Sequence, residues 1–109
     1  MYCRNALFIG TVAAENMDTF KAQINGPMRE AIMNFPKIQC LEIKWVEERE
    51  DGTPEILFTI EQTYDTKADM EAALASDARP KVHAALAVVK DHFNGNIYHM
   101  NCEMAEYRK

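Results

Sequence analysis

The order of two apolar patterns along the chain is the feature that most restricts its fold. Strand-like runs with apolar residues on both faces occupy residues 2–12, 37–48, 55–64 and 97–104. Apolar residues at helical spacing occupy residues 17–34 and 66–93. The order β-α-β-β-α-β predicts an α+β ferredoxin-like domain, with a four-stranded antiparallel sheet and two helices on one face. A chain of 109 residues has room for one such domain, spanning 1–109.

Local signals set the expected boundaries of these elements. Gly26-Pro27 interrupts the first helical stripe and predicts a kink or a restart. Asp51-Gly52 favours a hairpin turn between the two middle strands. Thr66 and Asp69 form a capping-box pattern at the start of the second helical region. Asn94-Gly95-Asn96 is expected to end that region before the last strand.

The apolar residues on the second sheet face predict a partner subunit. Leu7 and Ile9 alternate with Phe8, Leu57 lies beside Phe58, and Met100 belongs to the last strand. If both helices cover one face, these residues leave the opposite face apolar and uncovered. Such a face usually marks an interface, so we expect a homodimer formed through the sheet face.

Composition excludes several classes of protein. The net charge is −5, and no basic stripe with interleaved aromatic residues is present, so we expect no nucleic-acid partner. No run of about 18 apolar residues or secretory leader occurs, which predicts a cytoplasmic protein with no membrane segment. Cys3, Cys40 and Cys102 show no metal-ligand spacing and are expected to be reduced thiols in the core. No metal or nucleotide motif is present, and the sequence assigns no cofactor.

Short landmarks along the chain are those of a known superfamily. They are Leu7–Gly10, Asn25–Met28, Phe35–Ile38, Ala73–Ser76 and Asp91–Phe93. Together they resemble the dimeric α/β-barrel superfamily, and within it the EthD-like proteins, from about residue 3 to residue 104. The resemblance implies that two sheets close into a barrel with the helices outside. It also implies a small-molecule pocket between each sheet and its helices.

One position departs from this family. EthD-like proteins usually carry a histidine two positions before the helix proline, where this chain has Asn25. An asparagine side chain can form hydrogen bonds but cannot carry a proton near neutral pH. A mechanism that depends on the family's histidine is therefore not expected in this chain.

Two other histidines are candidates for proton transfer. His83 lies beside the apolar stripe of the second helical region, and His99 lies on the last strand. The alternatives are a half-solvated histidine on a helix flank and a structural hydrogen-bond partner. Asn25, Trp45, Tyr64 and Asn101 are candidates for substrate binding, with ordinary core or interface packing as the alternative for the two aromatic residues.

These residues lead to three functional hypotheses. The first is a homodimer that binds a small apolar or aromatic ligand and acts as a cofactor-independent oxygenase, isomerase or cyclase. The second is a non-catalytic binding or accessory protein of the same fold, favoured by the asparagine at position 25. The third is haem binding through His83. Superfamily members include cofactor-free monooxygenases, lactone isomerases, haem-binding enzymes and biosynthetic proteins, so the resemblance alone does not choose among them.

Overall fold

The computed structural model describes residues 1–109 as one antiparallel sheet with helices on one of its faces. The strands are β1 (Tyr2–Val12), β2 (Cys40–Trp45), β3 (Ile56–Tyr64) and β4 (Phe93–Glu103). Their spatial order is β2-β3-β1-β4, and every neighbouring pair is antiparallel. The predicted α+β ferredoxin-like fold is confirmed.

The helices follow the predicted stripes but divide differently. They are α1 (Met17–Gln23), α2 (Arg29–Met33), α3 (Lys67–Leu74) and α4 (Ala78–Lys90). A π-helical turn, Ile24–Met28, joins α1 to α2 without a break and contains Pro27. Proline lacks a backbone N–H and crowds the preceding turn, so the wider π-turn takes the place of the predicted kink or restart.

The second helical region separates into α3 and α4, with a side-chain hydrogen bond at the start of each helix. The Thr66 side chain accepts a hydrogen bond from the Asp69 backbone N–H at 3.1 Å, which confirms the predicted N-cap. The Ser76 hydroxyl accepts one from the Ala78 N–H at 3.3 Å, at the entrance to α4. Pro80 lies within the first turn of α4, where its missing N–H is tolerated.

The middle hairpin forms, although β2 is shorter than predicted. The turn is closed by a hydrogen bond of 3.1 Å from the Thr53 N–H to the Glu50 carbonyl, and Gly52 has a φ of 88°. Pairing begins at Trp45 and Phe58, so the connection runs through residues 46–55. The charged sequence around the turn lies outside the paired strands.

The expected end of the second helical region at Asn94-Gly95-Asn96 is wrong. Helix α4 ends at Lys90, and these three residues belong to β4. Gly95 lies directly opposite Gly10 of β1. A Cβ at Gly10 would lie 2.1 Å from the Asn94 carbonyl oxygen, and one at Gly95 would lie 2.1 Å from that of Ile9. The glycine therefore permits a close approach of two strands and does not serve as a helix stop.

Aromatic stacking organises the core between the sheet and the helices. The Phe58 ring stacks on Phe8 with centroids 4.1 Å apart and on Trp45 at 4.4 Å. Phe20 of α1 approaches the edge of Phe58 at 5.7 Å. These rings, buried except for the half-buried Trp45, come from β1, β2, β3 and α1 and hold the first helix against one half of the sheet.

The opposite sheet face is uncovered but only partly apolar. Tyr98 and Met100 of β4 are 53 % and 47 % exposed there, beside the half-buried Leu7 of β1. The β2–β3 half of the same face carries Glu42 and Glu61, which lie opposite each other. The expectation of an apolar second face therefore holds for β1 and β4 and is wrong for β2 and β3.

Two further expectations concern the location of the cysteines and the presence of a membrane-spanning helix. All three thiols are unpaired, but only Cys3 is buried, whereas Cys102 is half-buried and Cys40 is exposed. The core location predicted for the three is wrong for Cys40, which lies at the start of the edge strand β2 and is exposed there. None of the helices has the length and hydropathy needed to cross a membrane.

Candidate functional site

A cavity of about 210 Å³ lies between the sheet and the helices. Its walls come from β1, β3, β4, the π-turn, α2, α3 and α4. The apolar lining residues are Ala6, Phe8, Met28, Ile32, Phe35, Ile60, Leu74, Val82, Leu86 and Ile97. The polar lining residues are Arg4, Gln62, Arg79, His83 and His99. The cavity lies between the sheet and the helices, with Met28 and Ile32 from the first helical region and four residues of α4 in its walls.

The strand register explains why one end of this cavity is apolar and the other polar. Three rows cross β3, β1 and β4 on the helix side, namely Phe58–Phe8–Ile97, Ile60–Ala6–His99 and Gln62–Arg4–Asn101. The side chains therefore change from apolar to polar along the strands. The small methyl group of Ala6 leaves space between its larger neighbours, which forms part of the cavity floor.

Helix α4 supplies the facing wall through its i, i+3, i+4 and i+7 spacing. Arg79, Val82, His83 and Leu86 fall on one face of α4, and all four line the cavity. His83 thus approaches from the helix and His99 from β4, although they are 16 positions apart in the chain (99 − 83). The two histidines singled out from the sequence border one space.

The environment of His99 favours its neutral form. Partial burial against the cavity wall lowers the pKa of His99 below its usual value of 6.5, and the charges of Arg4, Arg79 and His83 lower it further. The His99 residue as a whole is nevertheless exposed to solvent. A neutral imidazole near pH 7 can accept a proton from a bound molecule.

Hydrogen bonds from neighbouring side chains support the polar end of the cavity. The Arg4 Nη1 donates to the Asn101 Oδ1 at 3.0 Å, which links β1 to β4. The Tyr64 hydroxyl donates to the Gln62 Oε1 at 2.8 Å within the buried end of β3. Because that oxygen accepts from Tyr64, the Gln62 side-chain NH₂ group keeps its donors.

Burial of Tyr64 predicts a pH dependence of stability. Desolvation raises the pKa of Tyr64 from 10.0 to about 12, partly offset by the charge of Arg4. The folded state therefore holds this proton more tightly than the unfolded state. The stabilisation of the folded state by protonated Tyr64 is complete below pH 10 and is lost as the pH rises from 10 towards about 12. In urea unfolding at several pH values, the unfolding free energy of Tyr64→Phe should decline less steeply above pH 10 than that of the wild type.

Tyr107→Phe is the matched control for that measurement, because Tyr107 is 92 % exposed. Its unfolding free energy should follow the wild type at every pH. At neutral pH, Tyr64→Phe should be less stable by about 1 kcal/mol, since it loses the hydrogen bond to Gln62. An alkaline decline equal to that of the wild type would contradict the assignment to Tyr64.

The other candidate residues lie around the cavity and do not line it. Asn101 contacts the site through Arg4, and Tyr64 through Gln62. Trp45 packs in the aromatic core, with the Lys21 ammonium 5.1 Å from its ring centroid. Asn25 is exposed on the π-turn.

The polar lining residues Arg4, Gln62 and Arg79 were not assigned to the site from the sequence. Arg79 lies four positions before His83, and this helical spacing was a signal for it. Arg4 shares the helix-facing side of β1 with Ala6, which the register of β1 against β3 establishes. No group of three His, Cys, Asp or Glu side chains is arranged to hold a metal ion.

No protein-family model and no curated protein matches the sequence. Solved structures match the fold over almost the whole chain. An EthD family protein from Bacillus halodurans superposes with a TM-score of 0.73 at 14 % identity, covering 96 % of this chain and 99 % of that chain. The fold is EthD-like. The superfamily resemblance inferred from the sequence is thus confirmed at the level of fold.

Two further structures with this EthD-like fold carry informative descriptions. A dimeric ferredoxin-like protein of unknown function from Thermobifida fusca has a TM-score of 0.65 at 15 % identity, covering 94 % of this chain and 90 % of that one. SnoaB, a cofactor-independent oxygenase from Streptomyces nogalater, has a TM-score of 0.61 at 10 % identity, with 97 % and 94 % covered. At such identities the likeness shows the EthD-like fold and leaves the chemistry to the residues of the cavity.

Proposed function

We propose that the protein is a homodimer that binds a small apolar or aromatic metabolite in the sheet–helix cavity and transfers a proton to or from it without a cofactor. The observation that carries this proposal is the approach of His83 and His99, from different elements, to one end of an apolar cavity. Imidazole groups at the border of an apolar space are suited to general acid–base chemistry.

The size and lining of the cavity favour a compact ligand. Ten of its 15 lining residues are hydrophobic, and its volume is about 210 Å³. A cavity of about 150 Å³ lined by apolar side chains accommodates benzene. The space under α4 therefore suits a body of one or two rings, with its polar substituents directed towards the two histidines.

The lowered pKa of His99 supports a role as the base. Cofactor-independent oxygenation, isomerisation and cyclisation of such metabolites can all begin by removing a proton from an acidic C–H or O–H bond. The electron pair of that bond stays on the substrate as an enolate or phenolate, and the proton passes to the imidazole nitrogen. A neutral His99 accepts this proton near pH 7, and His83 is placed to orient the substrate or return the proton.

The homodimer is supported by the uncovered face and by the assembly of similar structures. Leu7, Tyr98 and Met100 form an apolar strip on β1 and β4 that no helix covers. The protein of the same fold from Thermobifida fusca is dimeric. A second copy packed against this strip would remove its apolar area from water.

A non-catalytic binding protein is the second candidate. The observation that favours it is Asn25, which occupies the position of the family's histidine and lies exposed on the π-turn. In that case, the two cavity histidines would only hydrogen-bond the ligand. Measurements of proton exchange and of binding distinguish this candidate from the first.

Filling the cavity floor tests the proposed binding site. In Ala6→Leu, the larger side chain should occupy the space between Ile60 and His99. Displacing a ligand ring from apolar contact should weaken binding by about 30-fold, equivalent to about 2 kcal/mol. Calorimetric titration with cinnamyl alcohol, a neutral single-ring probe, measures this change.

Ala72→Leu is the control, because Ala72 is exposed on α3 and does not line the cavity. It should bind cinnamyl alcohol as the wild type does. Circular dichroism should show that both variants keep the fold. Undiminished binding by a folded Ala6→Leu variant would place the ligand elsewhere and refute the proposal.

A further inference from the structure

The charged groups of the cavity carry an inference about its ligand. Arg4 and Arg79 line it together with His83 and His99, and no Asp or Glu does. The chain as a whole has 17 acidic residues against 12 basic ones. Basic groups are therefore collected at one site of an acidic protein, where they face one another without an opposite charge.

The two arginines have no carboxylate partner anywhere in the structure. Arg4 donates to the Asn101 side-chain oxygen at 3.0 Å, and Arg79 donates to the Leu74 carbonyl at 3.4 Å. Neither takes part in an ion pair, whereas Lys37, Lys44 and Arg108 do. A guanidinium group has five N–H donors, so each arginine keeps donors for a ligand.

Partial burial makes this arrangement unfavourable without an anion. Burial lowers the pKa of Arg4, and the charge of Arg79 lowers it further. Two cations held near each other beside an apolar wall repel more strongly than they would in water. A bound anion would relieve this repulsion and satisfy the free N–H groups.

We propose that the ligand is an amphipathic carboxylate, whose apolar body of one or two rings lies in the cavity and whose carboxylate is held by Arg4 and Arg79. This inference rests on the proposed function, since it uses the same cavity and names the class of compound that enters it. The planar, forked donors of arginine match a carboxylate in two parallel hydrogen bonds. Asn101 acts as a positioning residue that holds Arg4 from β4.

A series of probes with one carbon skeleton and different charge tests the inference. Cinnamate, cinnamyl alcohol and cinnamylamine are titrated calorimetrically into the full chain at low salt. We expect cinnamate to bind about tenfold more tightly than the alcohol, and the amine to bind most weakly. The preference for cinnamate should shrink as the ionic strength rises, because salt screens the charges at the cavity mouth.

Substitutions of the two arginines then test whether they cause the preference for cinnamate. Arg4→Gln and Arg79→Gln should each reduce the ratio of the affinity for cinnamate to the affinity for the alcohol. Arg4→Lys should retain part of the preference because it keeps the charge. Arg29→Gln is the matched control, since Arg29 is exposed on α2 and does not line the cavity.

The outcomes separate this inference from the proposed function. Equal binding of cinnamate and cinnamyl alcohol, both weakened in Ala6→Leu, would overturn the carboxylate inference and leave the binding cavity in place. A preference that persists in both arginine-to-glutamine variants would also overturn it. If neither probe binds at millimolar concentration, both the inference and the proposed function fail.

Discussion

Met100→Glu is expected to convert the protein from a dimer to a monomer. Met100 is 47 % exposed on the apolar strip of β4, and a two-fold interface through this strip would contain the substituted residue from both copies. Each carboxylate buried without a partner costs several kcal/mol. The dimer dissociation constant should therefore rise by about 1,000-fold, equivalent to about 4 kcal/mol.

Size-exclusion chromatography with light scattering measures this change. The wild type should elute at about twice the chain mass of 12.5 kDa and Met100→Glu at the chain mass itself. Val88→Glu is the control, because Val88 is 58 % exposed on α4, away from the sheet face, and should remain dimeric. A wild type that is monomeric at micromolar concentration, or a dimeric Met100→Glu variant, would contradict assembly through this face.

His99→Ala is expected to remove most of the proton-transfer activity of the protein. The assay follows exchange of the α-hydrogens of β-tetralone, a two-ring ketone, in deuterium oxide by proton NMR. If His99 is the base, the wild-type protein should accelerate this exchange. The acceleration by His99→Ala should be about 100-fold smaller. The wild-type rate should fall as the pH drops through the lowered pKa of His99, below 6.5, because protonated imidazole cannot accept the proton.

Two controls separate chemistry from folding in this assay. His92→Ala changes a histidine that does not line the cavity and should leave the exchange rate unchanged. Added imidazole should restore part of the rate to His99→Ala, because the space left by the side chain can admit it. If cinnamyl alcohol binds to the wild type but β-tetralone exchange is not accelerated, the catalytic assignment is wrong and the binding protein is the better account.

The sequence predicted the fold because each element carries its own local signal. The strand predicted at residues 2–12 is β1, with the same bounds, and Asp51-Gly52 forms the turn of the middle hairpin. The capping pattern at Thr66 is realised as a hydrogen bond to Asp69. These features depend on residues near one another in the chain, so pattern and spacing are sufficient to find them.

The remaining parts of the fold depend on contacts between distant segments. Asn94–Asn96 has the composition of a helix stop, yet Gly95 serves the close approach of β4 to Gly10. The acidic half of the open face arises because Glu42 and Glu61 are placed opposite each other by the β2–β3 register. A register is a tertiary property that one strand alone does not specify.

The candidate site likewise contains residues that local signals identified and residues that only strand pairing places there. His83 and His99 were identified by residue type and by their place on predicted elements, and the structure brings both to the cavity. Arg4 and Ala6 join the site through the pairing of β1 with its two neighbours. Trp45 was selected for its aromatic surface, but its stacking on Phe58 places it in the core instead.

Ligand-induced changes at isoleucine methyl groups test the central claim most directly. Ile32, Ile60 and Ile97 line the cavity, whereas Ile24 and Ile43 lie in or against the core and do not line it. In a titration of isotope-labelled protein with neutral cinnamyl alcohol, we expect saturable NMR shift changes at the methyl groups of Ile32, Ile60 and Ile97 and little change at those of Ile24 and Ile43. Shifts confined to residues outside the cavity, or no saturable shift at millimolar ligand, would contradict that claim.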